Sequence, residues 1–179
     1  MDSVLANALQ PIADELKTVS QAQAQVSPRP TMDDWCGQEV VEHLILTFGQ
    51  SREELESRLK SKTPPTNRST LYQLPLKIQL LWFGSMTPGT IAPPSLIPGK
   101  FVPQNGPALT GRLLAEAEKL SNTLAQSEAV FGKRPSGDHP LYGPLPATGW
   151  RRYHVLHCRQ HAAQLKAAID FVRSHSAKE

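Results

Sequence analysis

The chain has 179 residues, 39% of them apolar and 20% charged, with a formal charge of +3. That length encloses one hydrophobic core without disulfides or a partner, so a single domain over residues 1–179 is expected. The basic residues are scattered in short pairs such as Lys133-Arg134 and Arg151-Arg152, with no basic stripe interleaved with aromatics, which argues against a nucleic-acid partner.

The opening segment MDSVLANALQPIADELK has an acidic second residue, no basic start and an apolar run broken by Asn7, Gln10 and Pro11, unlike a secretory signal. No stretch reaches the roughly 18 consecutive apolar residues that span a bilayer, so no membrane partner is expected. Cys36 and Cys158 are far apart and form no CxxC pair, which points to free thiols and a cytoplasmic location.

Four segments have helical periodicity. The first covers about 3–22, with Leu5, Leu9, Ile12 and Leu16 at helical spacing and Pro11 as a kink or a late start. The second, about 37–60, follows the start signal TMDDW and sets Val40, His43, Leu44, Thr47 and Phe48 towards one side. The third, about 108–126, repeats Leu113, Ala117, Leu120 and Leu124, and the fourth runs over about 148–174. Between the second and third lies an insert, Thr63 to Pro107. TLYQLPLKIQLLWFGSM fits a short amphipathic helix, and the Pro/Gly-rich remainder fits an extended loop that packs on the body through Ile91, Leu96, Ile97, Phe101 and Val102. Strand signals are sparse. The expected class is all-α, a four-helix bundle with a long insert between helices 2 and 3.

The fourth helix carries three of the six histidines, in RRYHVLHCRQHAAQL. On a helical wheel Trp150, Tyr153, His154, His161, Gln164, Ala168, Phe171 and Val172 fall within about 60° of His157, while Arg151, Arg152, Arg159, Lys166 and Arg173 fall outside, so the histidines face inward. Buried imidazole needs partners for both ring nitrogens. Two histidines four apart on a buried face point at one place, which is how a helix offers two nitrogens to one metal ion. His154 and His161 lie about 10.5 Å apart along the axis, too far to share an ion. The pairs left are His157 with His161, which the spacing favours, and His154 with His157. A third ligand is offered by His43, in the apolar middle of the second helix. Three histidines leave a coordination position open for water or substrate.

WCGQEVVEHLILTF, followed about a hundred residues later by HPLYGPLPATGWRRYHVLHCRQHAAQL, resembles the DinB-like superfamily of four-helix bundles. The likeness is greatest to its domain-of-unknown-function branch with an HP-x-aromatic-Gly-x-Leu box before the last helix. The resemblance covers essentially the whole chain, with its specific part in 35–46 and 139–165. It implies a metal triad of one histidine in the second helix and an H-x-x-x-H pair in the fourth, which correspond to His43, His157 and His161. It also implies a divalent metal, nickel or zinc ahead of iron or manganese. Relatives include thiol-dependent transferases and isomerases and metal-dependent hydrolases. The partner implied is a small-molecule substrate, a low-molecular-weight thiol among the candidates, and a homodimer is compatible with it. The rival expectation is a non-catalytic, stress-linked binding or scaffold protein with a structural or vestigial metal site.

Other patterns fail on particular residues. A di-iron site wants Glu three residues before each histidine, and Val40, His154 and Cys158 stand there. A zincin wants Glu where Cys158 stands. GPALTGR has the glycine spacing of a phosphate loop but puts Arg112 in place of lysine. Cys158 points about 100° away from its neighbour His157 and is no ligand, and Cys36 lies too far up the helix, though near enough to stand at a pocket mouth. Glu39 is either a capping residue or a group that orients a ligand, and His139 either lines the pocket or bonds to backbone.

Overall fold

The computed structural model describes residues 1–28, 35–87 and 92–176. It is predominantly helical, with a single two-stranded sheet among the described residues.

Helix α1 spans Ser3–Leu16 and starts where the Asp2 carboxylate accepts the Val4 N–H at 2.8 Å. It buries Leu5, Ala8, Leu9, Ile12 and Leu16, and Pro11 sits on its exposed side without interrupting it. The single helix expected over 3–22 is instead two. Ser20 and Gln23 exchange backbone-to-side-chain bonds of 3.2 and 3.0 Å, and this reciprocal cap opens a separate short helix, α2, over Gln21–Ala24. Local capping chemistry outweighs the continuing apolar pattern.

Helix α3 is Gly37–Ser61, opened by Glu39 accepting the Cys36 N–H at 2.7 Å and closed by Lys62 at φ 51°. In the insert, helix α4 (Gln73–Ile78) runs straight into a π turn over Gln79–Phe83 that ends at Gly84. A 3₁₀ turn follows at Pro94–Leu96. Of the apolar residues expected to hold the loop down, Leu96 is buried and Phe101 half-buried, whereas Ile97 and Val102 are exposed and Ile91 lies outside the described residues. The anchors are polar instead. The buried Gln38 side chain donates to the Val102 carbonyl (2.9 Å) and accepts from the Gln104 N–H (2.9 Å), and Arg112 bonds Gln104 and both oxygens of Glu42. Proline and glycine leave such a loop few side chains to bury, so side chains of neighbouring helices must satisfy its backbone.

Helix α5 covers Gly106–Phe131, longer at both ends than its apolar repeat suggests because Asn105 caps it (Ala108 N–H to Oδ1, 3.0 Å) and Phe131 still packs inward. An antiparallel hairpin follows that the sparse strand signals do not predict, β1 (Gly137–His139) and β2 (Gly143–Leu145). Three-residue strands are too short to show alternation. Glu54 of α3 accepts the Asp138 N–H (3.0 Å), so the hairpin fixes where helix α6, Ala147–Ser176, begins.

The long helices α1, α3, α5 and α6 pack on one another around a core that includes Leu9, Ile12, Leu44, Phe48, Leu120 and Trp150. α5 enters this packing at Gly106, whose N–H donates to the Val19 carbonyl at 2.9 Å. A Cβ there would lie 1.9 Å from the Leu16 carbonyl oxygen. Gly106→Ala is therefore expected to lower the unfolding free energy by about 3 kcal/mol, because backbone cannot yield as a side chain would. Urea denaturation measures it, and an unchanged midpoint would mean that α5 shifts freely.

No helix among the described residues is long and apolar enough to cross a membrane.

Candidate metal centre

α3 and α6 each present their histidines from a buried face. On α6, Trp150, Tyr153, His154, His157, His161, Ala168 and Val172 are buried while Arg152, Arg159, Lys166 and Arg173 are exposed, as the wheel requires. His43 occupies the corresponding position on α3, 4% exposed, opposite His157 at 7% and His161 at 8%.

The three rings converge. His157 Nε2 lies 3.3 Å from His43 Nε2 and 3.0 Å from His161 Nε2, and the candidate ligand atoms of all three lie within 4.8 Å of one another. Among the described residues these histidines are the one group with the spacing to hold a metal ion. These two separations approach the ~3.4 Å edge of a tetrahedron with 2.1 Å Zn–N bonds.

The outer nitrogens decide which atoms can bind. His43 Nδ1 is 2.8 Å from the Leu96 carbonyl, which can only accept, so the proton sits on Nδ1 and Nε2 keeps its electron pair. His161 Nδ1 donates to Gln164 Oε1 at 2.8 Å and leaves its Nε2 bare in the same way. Among the described residues His157 has no partner at Nδ1. Without a cation, a proton on His157 Nε2 satisfies one facing electron pair, leaves the other buried and unpaired, and strands a bare Nδ1. Burial of lone pairs without donors is costly. A shared cation satisfies all three Nε2 atoms at once, so the donor set fits a divalent metal.

Electrostatics favour the same state. Burial lowers the pKa of His43 and, with the charge of its neighbours, brings His161 down to about 4 and His157 well below its ordinary value. All three are neutral at pH 7, the form that ligates a metal.

The remaining candidates separate cleanly from this cluster. His154 is fully buried beside Phe48, Trp150 and Tyr153, and among the described residues neither of its ring nitrogens has a partner, so the pair that meets His43 is His157 with His161. His139 accepts the Leu141 N–H at 3.1 Å and packs among Tyr142, Trp150 and Tyr153, which resolves its two readings towards backbone bonding. Glu39 is committed to the Cys36 N–H as a cap. Cys36 is buried rather than at a mouth, and burial pushes its thiol up to about 11. Cys158 is core, its thiol pushed up to about 12. Neither supplies a thiolate near neutrality.

Three participants were missed in the sequence. Trp35 lies 4.8 Å from the His43 ring and stacks nearly parallel to His161 at 6.3 Å, making an aromatic wall. Leu96 acts through its carbonyl, which no side-chain pattern reveals. Gln164 was readable, since it stands three residues after His161 on the same face.

No protein-family model, no curated protein and no solved structure matches this chain.

Proposed function

We propose that this chain is a DinB-like four-helix bundle, one domain over 1–179, in which His43, His157 and His161 hold a divalent metal ion for catalysis on a small-molecule substrate. One observation carries the reading: Leu96 and Gln164 lock two imidazoles with their Nε2 electron pairs facing His157 in a buried space. The four packed long helices and the insert between α3 and α5 support the bundle and the resemblance that suggested it.

A divalent ion held there supplies Lewis acidity to a substrate oxygen or sulfur. Nickel and zinc suit imidazole ligands, and iron and manganese follow. The protein's own part is to orient the imidazoles through Leu96 and Gln164 and to wall the site with Trp35, where an apolar substrate portion packs. The reaction classes in view are thiol-dependent transfer or isomerisation, with a low-molecular-weight thiol as partner, and hydrolysis. Two free thiols support a reducing cytoplasm.

The low exposure of the three histidines favours a second reading, a structural ion in a non-catalytic binding or scaffold protein. Elemental analysis of the purified protein tests the metal itself: near-stoichiometric nickel, zinc, iron or manganese is expected, and sub-stoichiometric metal that added salts do not raise removes the proposal. Exchange against a chelator separates the two readings, because an open catalytic site releases its ion faster than a sealed one.

Gln164→Leu removes the acceptor that fixes the His161 tautomer while keeping bulk. Metal affinity is expected to fall about 10- to 100-fold, as for other outer partners of ligating histidines. Competition with a chromogenic chelator measures it, and unchanged affinity would show that Gln164 does not set the ligand.

A further inference from the structure

The segment from α4 through the π turn carries two apolar faces, and among the described residues only one has a partner. Leu80 is fully buried and Leu76 packs on the core. On the other side Leu71, Leu74, Ile78 and Trp82 recur at three- and four-residue spacing, all exposed. Leu71, Tyr72, Trp82 and Phe83 are 92%, 72%, 81% and 77% exposed. Single exposed apolar residues need no explanation, but a contiguous stripe ending in two bare aromatic rings marks an interaction surface.

Charge identifies the partner. From Glu56 to Glu116 the chain has no acidic residue in between, yet Lys60, Lys62, Arg68, Lys77 and Lys100 fall there, together with an Arg58 and an Arg112 that Glu54 and Glu42 neutralise. In a chain of net charge +3 this stretch holds more than the whole positive excess. The exposed Arg68 stands three residues before the stripe. Past its other end, Gly84 lies against Arg152, whose Nη2 is 2.7 Å from where a Cβ would be. Gly84 and Arg152 help line a groove of about 390 Å³ with Arg151, Arg159, Val155 and Leu156. Arg151 is paired with Asp2 and Glu128, whereas Arg152 and Arg159 are exposed and make no ion pair among the described residues.

We propose that this edge docks on the surface of an anionic lipid bilayer, with Trp82 and Phe83 entering the boundary between headgroups and acyl chains while Arg68, Arg152 and Arg159 meet lipid phosphates. Surface binding of this kind requires an apolar stripe, interfacial aromatics and flanking cations, and it requires no spanning helix. The expectation of no membrane partner rested on the absence of a span and did not test this mode. A second copy of the chain is disfavoured because a two-fold contact would set the acid-free segment against itself. A nucleic acid would meet the arginines but leave the Leu71–Leu74–Ile78 stripe without a role.

Sedimentation with vesicles of phosphatidylglycerol in phosphatidylcholine, against phosphatidylcholine alone, tests the proposal. Salt-sensitive binding to the anionic vesicles is expected, with a blue shift of tryptophan emission. Trp82→Ser with Phe83→Ser should weaken partitioning at least tenfold and abolish the shift, since Trp150 is already buried and Trp35 is half-buried against His43 and His161. Arg152→Glu with Arg159→Glu should weaken it comparably. All four positions are exposed, and circular dichroism checks that the variants keep the fold. Absence of anionic-vesicle binding overturns the proposal, as does binding that these variants leave intact. Dimerisation that buries Trp82, or an RNA oligomer held by the same residues in place of vesicles, overturns it equally.

Discussion

Nickel or zinc at about 100 times its dissociation constant is expected to raise the melting temperature of the wild-type chain by roughly 5–10 °C, and His157→Ala should remove that rise. An ion that binds only the folded chain stabilises it by about 2.7 kcal/mol at that excess, and a domain of this size gains about 2–4 °C per kcal/mol. His157 is the candidate ligand to remove because both short nitrogen contacts run to its Nε2. Truncating this buried ring costs some stability by itself, so the rise is read within each protein, with metal against without. A rise of equal size in the variant would place the metal elsewhere, for instance at the exposed His175. No rise in either protein would leave the histidine cluster without a cation.

The second large effect is loss of stability in acid. Burial brings both His139 and His154 down to about 3, against about 6.5 in an unfolded chain. Between those values the unfolded chain binds protons that the folded chain refuses. Stability is therefore complete above about pH 6.5 and falls as pH drops towards 3. At pH 5 each of the two histidines should withdraw about 2 kcal/mol, a large share of a typical domain's total. The depressed pKa values of His43, His157 and His161 act in the same direction.

His154→Phe isolates one of these contributions. The ring lies among Phe48, Trp150 and Tyr153 with no hydrogen-bond partner at either nitrogen among the described residues, so an apolar ring fits its surroundings. Urea denaturation at pH 7 and pH 5 should show the variant losing about 2 kcal/mol less than wild type on acidification. Parallel losses in the two proteins would mean that His154 takes up its proton without unfolding the chain.

The periodic segments were legible because helical spacing is a property of the chain taken locally. A 3.6-residue repeat places His157 and His161 on one face and keeps Arg152 and Arg159 off it in any fold that buries that face. The inward arc of α6 and the candidacy of His43 were therefore determined by the amino-acid order alone. The limits of local reasoning appear at Val19 and Ser20, where a reciprocal cap outcompetes the apolar repeat, and at β1 and β2, which are too short to show a period. They appear again in the insert, where the buried amide of Gln38 holds the backbone that Ile97 and Val102 were expected to pin. Only the tertiary structure decided that α3 faces α6 closely enough for Nε2 atoms to lie 3.0 and 3.3 Å apart. Only it set the Leu96 carbonyl against His43, which chooses the nitrogen that carries the proton. Spacing along one helix follows from covalent geometry, whereas the meeting of two helices and a loop carbonyl depends on how distant segments share one core.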